Sequence, residues 1–425
     1  MTEKKEEATV SRRSYLKYGA AAVVVVAAGA GGAYYYSTMP PPTSPTPSTT
    51  TVTATTTASA AATTKTSGFF WGDSPFEMEE DWYWTLNRSA LAYANYVGDR
   101  METIDPHMHP EEQISDITYM MQLGIDGLMG CPTDPDALVK TLDSVKSQGL
   151  PICVYDGTAK TASIDMAVRV DSFRLGALCG DALVKKIQAA GATLKGPVFS
   201  VTHGTVNPVQ MDRIHGIEQE FSKAFPDLKI QEYYCESQTE EAKTAVFEAC
   251  KSMGTPAAVI ASNGTQLIGA VEGLQSAKLA VPTGQPGHVW VAGVDAMPDG
   301  IALCKQGLID QMVDQPPLFY GSLAMYFLRL IKLQGESALP SIGQTVISDA
   351  TKALGPQSDG TYNVVLPDIN YKGVRPFQYP TWAPCPVVND YGHRWLQVNA
   401  TLVDASNCDT APIYANVAKV WFSES

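Results

Sequence analysis

"METIDPHMHPEEQISDITYMMQLGIDGLMGC", Met101 to Cys131, is the stretch whose reading decides the fold. "METID" has the length of a strand. Glu111 and Glu112 then stand where negative charge suits the dipole of a helix start. Ile114, Ile117 and Met121 recur at helical spacing, and Gly124 ends the run. "IDGLMGC" is a second strand. Two histidines, His107 and His109, sit just behind Asp105, between the first strand and the helix. They admit two readings. One is a metal site, which needs two or three further ligands. The other is a polar loop that only has to turn the chain. The other histidines are His203, His215, His288 and His393. Of these, His203 ends a strand pattern, His215 lies inside a helix pattern and His288 precedes a strand.

The same alternation runs outward from this stretch. "PDALVKTLDSVKSQG" reads as a helix and "LPICVYD" as a strand. "GPVFSVTHG", "KIQEYYC", "PAAVIASN", "HVWVAGVD" and "IDQMVDQ" read as later strands, each separated from the next by a helical pattern. Strand–helix alternation implies parallel sheets with helices on both faces. Ligands in such sheets bind at the carboxyl ends of the strands. The residues to inspect are therefore Asp105, Cys131-Pro132, Asp156, His203, Asn263, Asp295 and Asp314.

The chain has 425 residues, enough for two or three domains. Its net charge of −14 argues against nucleic acid or anionic lipid as a ligand. Eight cysteines occur without a CxxC pair, so zinc-ribbon and thioredoxin spacings are absent. Cys385 and Cys408, in a loop-rich tail, are the pair expected to be bridged.

"SRRSYLK", Ser11 to Lys17, precedes an uncharged run from Tyr18 to Tyr36. The paired arginines resemble a twin-arginine export motif; the alternative is another export route with basic residues ahead of an anchor helix. Residues 1–36 are expected to be an export signal or membrane anchor. Residues 37–67 are nearly all Ser, Thr, Pro and Ala and read as an extended stalk.

From "IDPHMHPEEQ" through "LPICVYD", the sequence resembles the first lobe of sugar-binding proteins of ABC importers, the ribose-binding type. "AVIASNGTQLIGAVEGLQSA" and "VWVAGVDAMPDGIALCKQGLIDQMVDQP" resemble the second lobe. The resemblance covers about Gly68 to Gly335. It implies the periplasmic binding protein type I fold: two Rossmann-like α/β lobes with parallel sheets, joined by a hinge. Lobe 1 would comprise residues 68–172 and 315–340, and lobe 2 residues 173–314. Residues 341–425 would form a loop-rich C-terminal extension packed across both lobes or the hinge.

The resemblance further implies a small sugar or sugar-like ligand, ABC permease subunits as partners, no cofactor and no catalytic residue. The chain would be extracytoplasmic and monomeric, with its N-terminal segment either an export signal or a membrane tether. The matching ligand-binding residues are Asp156, Asn263, Asp295 and, at the hinge return, Asp314, where many relatives have Gln. Three positions depart from the family pattern. Trp82 or Trp84 in "DSPFEMEEDWYW" replaces the usual aromatic pair. Only Arg213 remains of two arginines, and Gln238 stands where relatives often carry an aromatic. Two other classes stand beside this one. "IDPHMH" also looks like the D-x-H-x-H strand end of amidohydrolases, which gives a metal-dependent hydrolase using His107 and His109. A ligand-sensing receptor domain is the third reading. An export signal in place of a helix-turn-helix argues against a DNA-binding regulator.

Overall fold

The computed structural model describes residues 68–204, 208–236 and 238–423. The expected export signal and stalk lie outside them. Strands β1 (Phe70–Ser74), β2 (Arg100–Thr103), β3 (Gly127–Gly130), β4 (Ile152–Tyr155) and β5 (Met166–Arg169) run parallel in the order β2-β1-β3-β4-β5. Between them lie helices α1 (Asp81–Val97), α2 (Pro110–Gln122) and α3 (Val139–Ser147). β3 and β4 are buried along their whole length, as parallel strands covered on both faces must be. β2, at the edge, has no fully buried residue. Helix α1 opens on Asp81 and stops where Gly98 takes φ 78°, a left-handed turn that glycine adopts without strain.

The second sheet contains β6 (Val198–Thr202), β7 (Ile230–Tyr234), β8 (Ala258–Ala261), β9 (Trp290–Val294) and β10 (Gln311–Asp314), parallel in the order β10-β9-β8-β6-β7. Its helices are α4 (Ser172–Ala189), α5 (Pro208–Ala224), α6 (Thr239–Met253), α7 (Gly264–Ser276) and α8 (Pro298–Lys305). Helix α9 (Pro317–Gln334) then returns to the first lobe and packs on α1, β3 and β4. The parallel α/β sheets expected from the alternation, and the two lobes that the resemblance implies, are the architecture the chain forms.

The C-terminal residues are loops with short strands, and those strands join both sheets. β15 (His393–Gln397) runs parallel to β5, with Arg394 to Gln397 opposite Met166 to Arg169. β14 (Cys385–Asp390), β11 (Thr345–Ile347), β13 (Tyr362–Asn363) and β12 (Gly355–Pro356) extend the first sheet to ten strands. The seam is polar as well as apolar. The Arg169 guanidinium lies 3.7 Å from the Trp395 ring centre and donates to Asp390 at 2.8 Å. After β15 the chain crosses over, and β16 (Thr401–Val403) pairs antiparallel with β10. A short helix, α10 (Tyr414–Val417), follows, and the chain then returns to α1. The tail thus makes a third passage between lobes, after those from β5 to α4 and from β10 to α9.

The expected Cys385–Cys408 bridge is corrected by this path. Cys385 lies in β14 of the first sheet. Cys408 comes after the crossing, in the apolar core of the second lobe beside Cys304. Both are free thiols.

Trp421 anchors the tail's return. It is fully buried, donates its indole N–H to the Tyr371 carbonyl at 3.1 Å, and meets the Trp84 ring edge-on at 6.4 Å. The Arg88 guanidinium lies 4.7 Å from the Trp84 ring and 5.2 Å from the Trp421 ring. Replacing a buried tryptophan with alanine typically costs about 3–5 kcal/mol. Trp421→Ala is expected to lose about that much in a urea unfolding titration; a loss below about 0.5 kcal/mol would mean that the tail's return contributes no stability.

Candidate functional site

The two sheets point the carboxyl ends of their strands toward one another's lobe. Asp156 follows the last residue of β4, and Asp295 follows the last residue of β9. Both take positive φ, 57° and 65°. That conformation is uncommon outside glycine, and aspartate is among the residues that tolerate it best. Each kink turns a carboxylate away from its own strand at the point where the chain leaves the sheet.

Arg213, on α5, stands between them. One terminal nitrogen reaches Asp156 of the first lobe at 3.3 Å, and the other reaches Asp295 of the second at 3.5 Å. The guanidinium is buried with only 4% of its surface exposed. Burial works against its charge, and the two aspartates hold its pKa above the ordinary arginine value. Close helix packing sets its position. A side chain built on Gly176 of α4 would lie 1.8 Å from the Arg213 carbonyl oxygen, and one on Gly216 of α5 would lie 2.2 Å from the Phe173 carbonyl oxygen. Glycine at both places lets the helices touch backbone to backbone and brings the arginine in.

Other groups complete the cluster. Tyr83 donates to Asp156 at 2.7 Å, and Gln315 donates to Asp295 at 2.7 Å. Tyr320 donates to Gln315 at 3.0 Å and accepts the Val170 N–H at 3.1 Å, so one phenol ties two of the inter-lobe crossings together. Burial pushes the Asp295 carboxyl upward; Arg213 and Gln315 pull it back, and Asp156 adds to the rise. Glu80, just ahead of α1, is raised to about 8, first by burial and then by Glu77 and Asp295. Beneath the cleft Asp73 is raised to about 6 by burial, opposed by hydrogen bonds from Tyr155, Asn87 and Thr103.

The sequence-derived candidates divide accordingly. Asp156, Arg213 and Asp295 are brought together. Trp82 borders them, its ring edge-on to Tyr83 and Tyr320 at 4.9 and 5.4 Å. Asn263 is buried at the start of α7, where its side-chain oxygen accepts the Gln266 N–H. Trp84, two residues along α1 from Trp82, faces the tail instead. Asp314 forms no ion pair with Arg213; its carboxylate accepts the Ala296 backbone N–H at 3.0 Å, and Gln315 reaches Asp295 in its place. Gln238 is exposed at the start of α6. His107 is well exposed and pairs with Asp105 at 3.3 Å, and His109 precedes α2 in the same turn. Among the described residues no group of three or more His, Cys, Asp or Glu is placed to hold a metal ion. The sequence reading missed Tyr83, Gln315, Tyr320 and Glu80. The glutamine after Asp314 was the available signal for one of them.

Glu80 supplies a pH test. Its carboxyl stays protonated in the fold to about pH 8 but ionises near 4.5 when unfolded. The folded state therefore binds the extra proton across that window, and its stability falls as pH rises through it. Glu80→Gln lacks this loss. The difference in melting temperature, variant minus parent, is expected to grow from pH 5 to pH 8. A difference independent of pH would place Glu80 in solvent.

Residues 74–337 match the family described as the periplasmic binding protein domain. The chain is 24% identical over 266 residues to the ribose import binding protein of Bacillus subtilis (strain 168), covering 60% of this chain and 78% of that protein. It is 27% identical over 199 residues to a xylitol-binding protein of Mycolicibacterium smegmatis, covering 46% of this chain and 53% of that protein, about half its length. Among solved structures, an ABC transporter solute-binding protein from Agrobacterium vitis, bound with α-D-tagatopyranose, superposes with a TM-score of 0.60 at 16% identity, over 83% of this chain and 98% of that one. With more than half of its length matched, the chain belongs to the periplasmic binding protein family.

Proposed function

We propose that this chain is the extracytoplasmic binding component of an ABC importer, capturing a small sugar or polyol between its lobes and passing it to membrane permease subunits. The observation that carries the reading is the junction of Asp156, Arg213 and Asp295. Two carboxylates from opposite lobes and one guanidinium converge at the strand ends. Sugar hydroxyls donate to carboxylates and accept from guanidinium and amide groups, so one small ligand can engage both lobes at once. The names of the relatives, a ribose import protein and a xylitol-binding protein, agree with that chemistry.

On this reading the chain binds and releases without catalysis. The twin-arginine segment exports it, the Ser/Thr/Pro-rich stretch spaces it from the membrane, and it works as a monomer. Among the described residues no helix is long and apolar enough to cross a membrane. The hydrolase reading has no comparable cluster in its favour, because His107 and His109 share an exposed turn in which His107 pairs with Asp105.

A thermal-shift panel of pentoses, hexoses and polyols tests the proposal. At least one member is expected to raise the melting temperature. Asp156→Ala and Asp295→Ala are each expected to weaken binding of that member roughly ten- to hundred-fold by calorimetry, since hydrogen bonds to charged groups are worth about 1.5–3 kcal/mol. Parent-like binding by both variants would move the ligand site elsewhere.

A further inference from the structure

The C-terminal tail brings one more side chain to the cleft. Tyr414, at the start of α10, retains 1% of its surface exposure, and its hydroxyl has no hydrogen-bond partner. Its ring lies edge-on to Phe422 at 6.2 Å, and it lines one small cavity with Asp314 and with Gln315, whose amide holds Asp295. Burial is the main cause that raises its phenol pKa, and Asp314, Asp295, Asp81 and Glu80 add to the rise; of these, Asp295 and Glu80 belong to the cluster around Arg213. A buried hydroxyl in such company ordinarily donates to one of the carboxylates; this one does not.

Two further donors beside the same cluster lack partners. The Trp82 indole N–H is one, on a residue 4% exposed, and the Arg213 Nε–H is the other. Unused donors therefore stand among carboxylate acceptors. An anionic ligand would be repelled by the acids, and a simple cation would leave the donors unused. A neutral hydroxyl group suits both, because it accepts from a donor while donating to a carboxylate.

We propose that Tyr414 is a ligand-binding residue supplied by the tail, and that its phenol donates to a hydroxyl of a neutral polyhydroxylated ligand which in turn donates to Asp295. The proposal rests on the sugar-binding reading given above and adds a wall to that site which lies outside the residues matched to the family. The tail is accordingly part of the binding site as well as a brace for the lobes.

The test is calorimetry on the full chain with the panel sugar or polyol that stabilises it most, and with that ligand's mono-deoxy analogues. Tyr414→Phe removes one oxygen and should leave the melting temperature of the free protein within about 1 °C. It is expected to bind the full ligand about tenfold more weakly than the parent does. For one deoxy analogue, the one lacking the bridging hydroxyl, parent and variant should bind equally. Variant affinity within twofold of the parent for the full ligand would overturn the proposal. So would a loss of similar size for every analogue, which would mark a purely structural tyrosine. A parent that binds no member of the panel would instead refute the sugar-binding reading itself.

Discussion

A guanidinium buried between carboxylates of two different lobes is the constraint on which the rest of the structure depends. Desolvating Arg213 is unfavourable, and removing one partner from a buried ion pair typically costs about 3–5 kcal/mol. The fold accordingly surrounds it. Two aspartates reach it from kinked strand ends, glycine contacts between α4 and α5 set its depth, and Tyr83, Gln315 and Tyr320 hold the aspartates and crossings in place. Its contacts of 3.3 and 3.5 Å are longer than the roughly 2.7–2.9 Å of a tight charge-assisted hydrogen bond. The lobes are thus coupled electrostatically without being locked. A ligand hydroxyl that improves on those contacts gains binding energy from both lobes.

Charge balance points the same way. Asp156, Asp295 and Glu80 face a single arginine, and burial, reinforced by Glu77 and Asp295, raises the Glu80 pKa to about 8. The site is rich in acceptors, keeps several unused donors, and carries little net positive charge to attract an anion. This is a suitable surrounding for neutral hydroxyl groups.

The lobes themselves were legible in the sequence because their signals are local. Short apolar runs, helical spacing and terminal glycines each act within about fifteen residues, and the strand-end rule then places Asp156 and Asp295 among its candidates, beside others such as Asp105 and His203 that stand outside the cluster. The aromatic residues of α1 were not legible. In "DWYW" the direction of each ring depends on the phase of the helix, and one hundred degrees per residue sends Trp82 and Tyr83 inward and Trp84 toward the tail. At the hinge, a shift of one residue separates Asp314, which accepts the Ala296 N–H, from Gln315, which reaches Asp295. The tail was the least legible part. Pairing of β15 with β5 joins Arg394 to Met166, and nothing in either short segment encodes so distant a partner. That crossing also puts Cys385 and Cys408 in different lobes.

The most direct measurement is a crystal structure of the full chain with the tightest-binding sugar or polyol of the panel. The account predicts ligand density between the lobes, with hydroxyls on Asp156, Arg213 and Asp295 and one within hydrogen-bond distance of the Tyr414 oxygen. Density at the turn carrying His107 and His109, or a cleft that stays empty at saturating ligand, would contradict it.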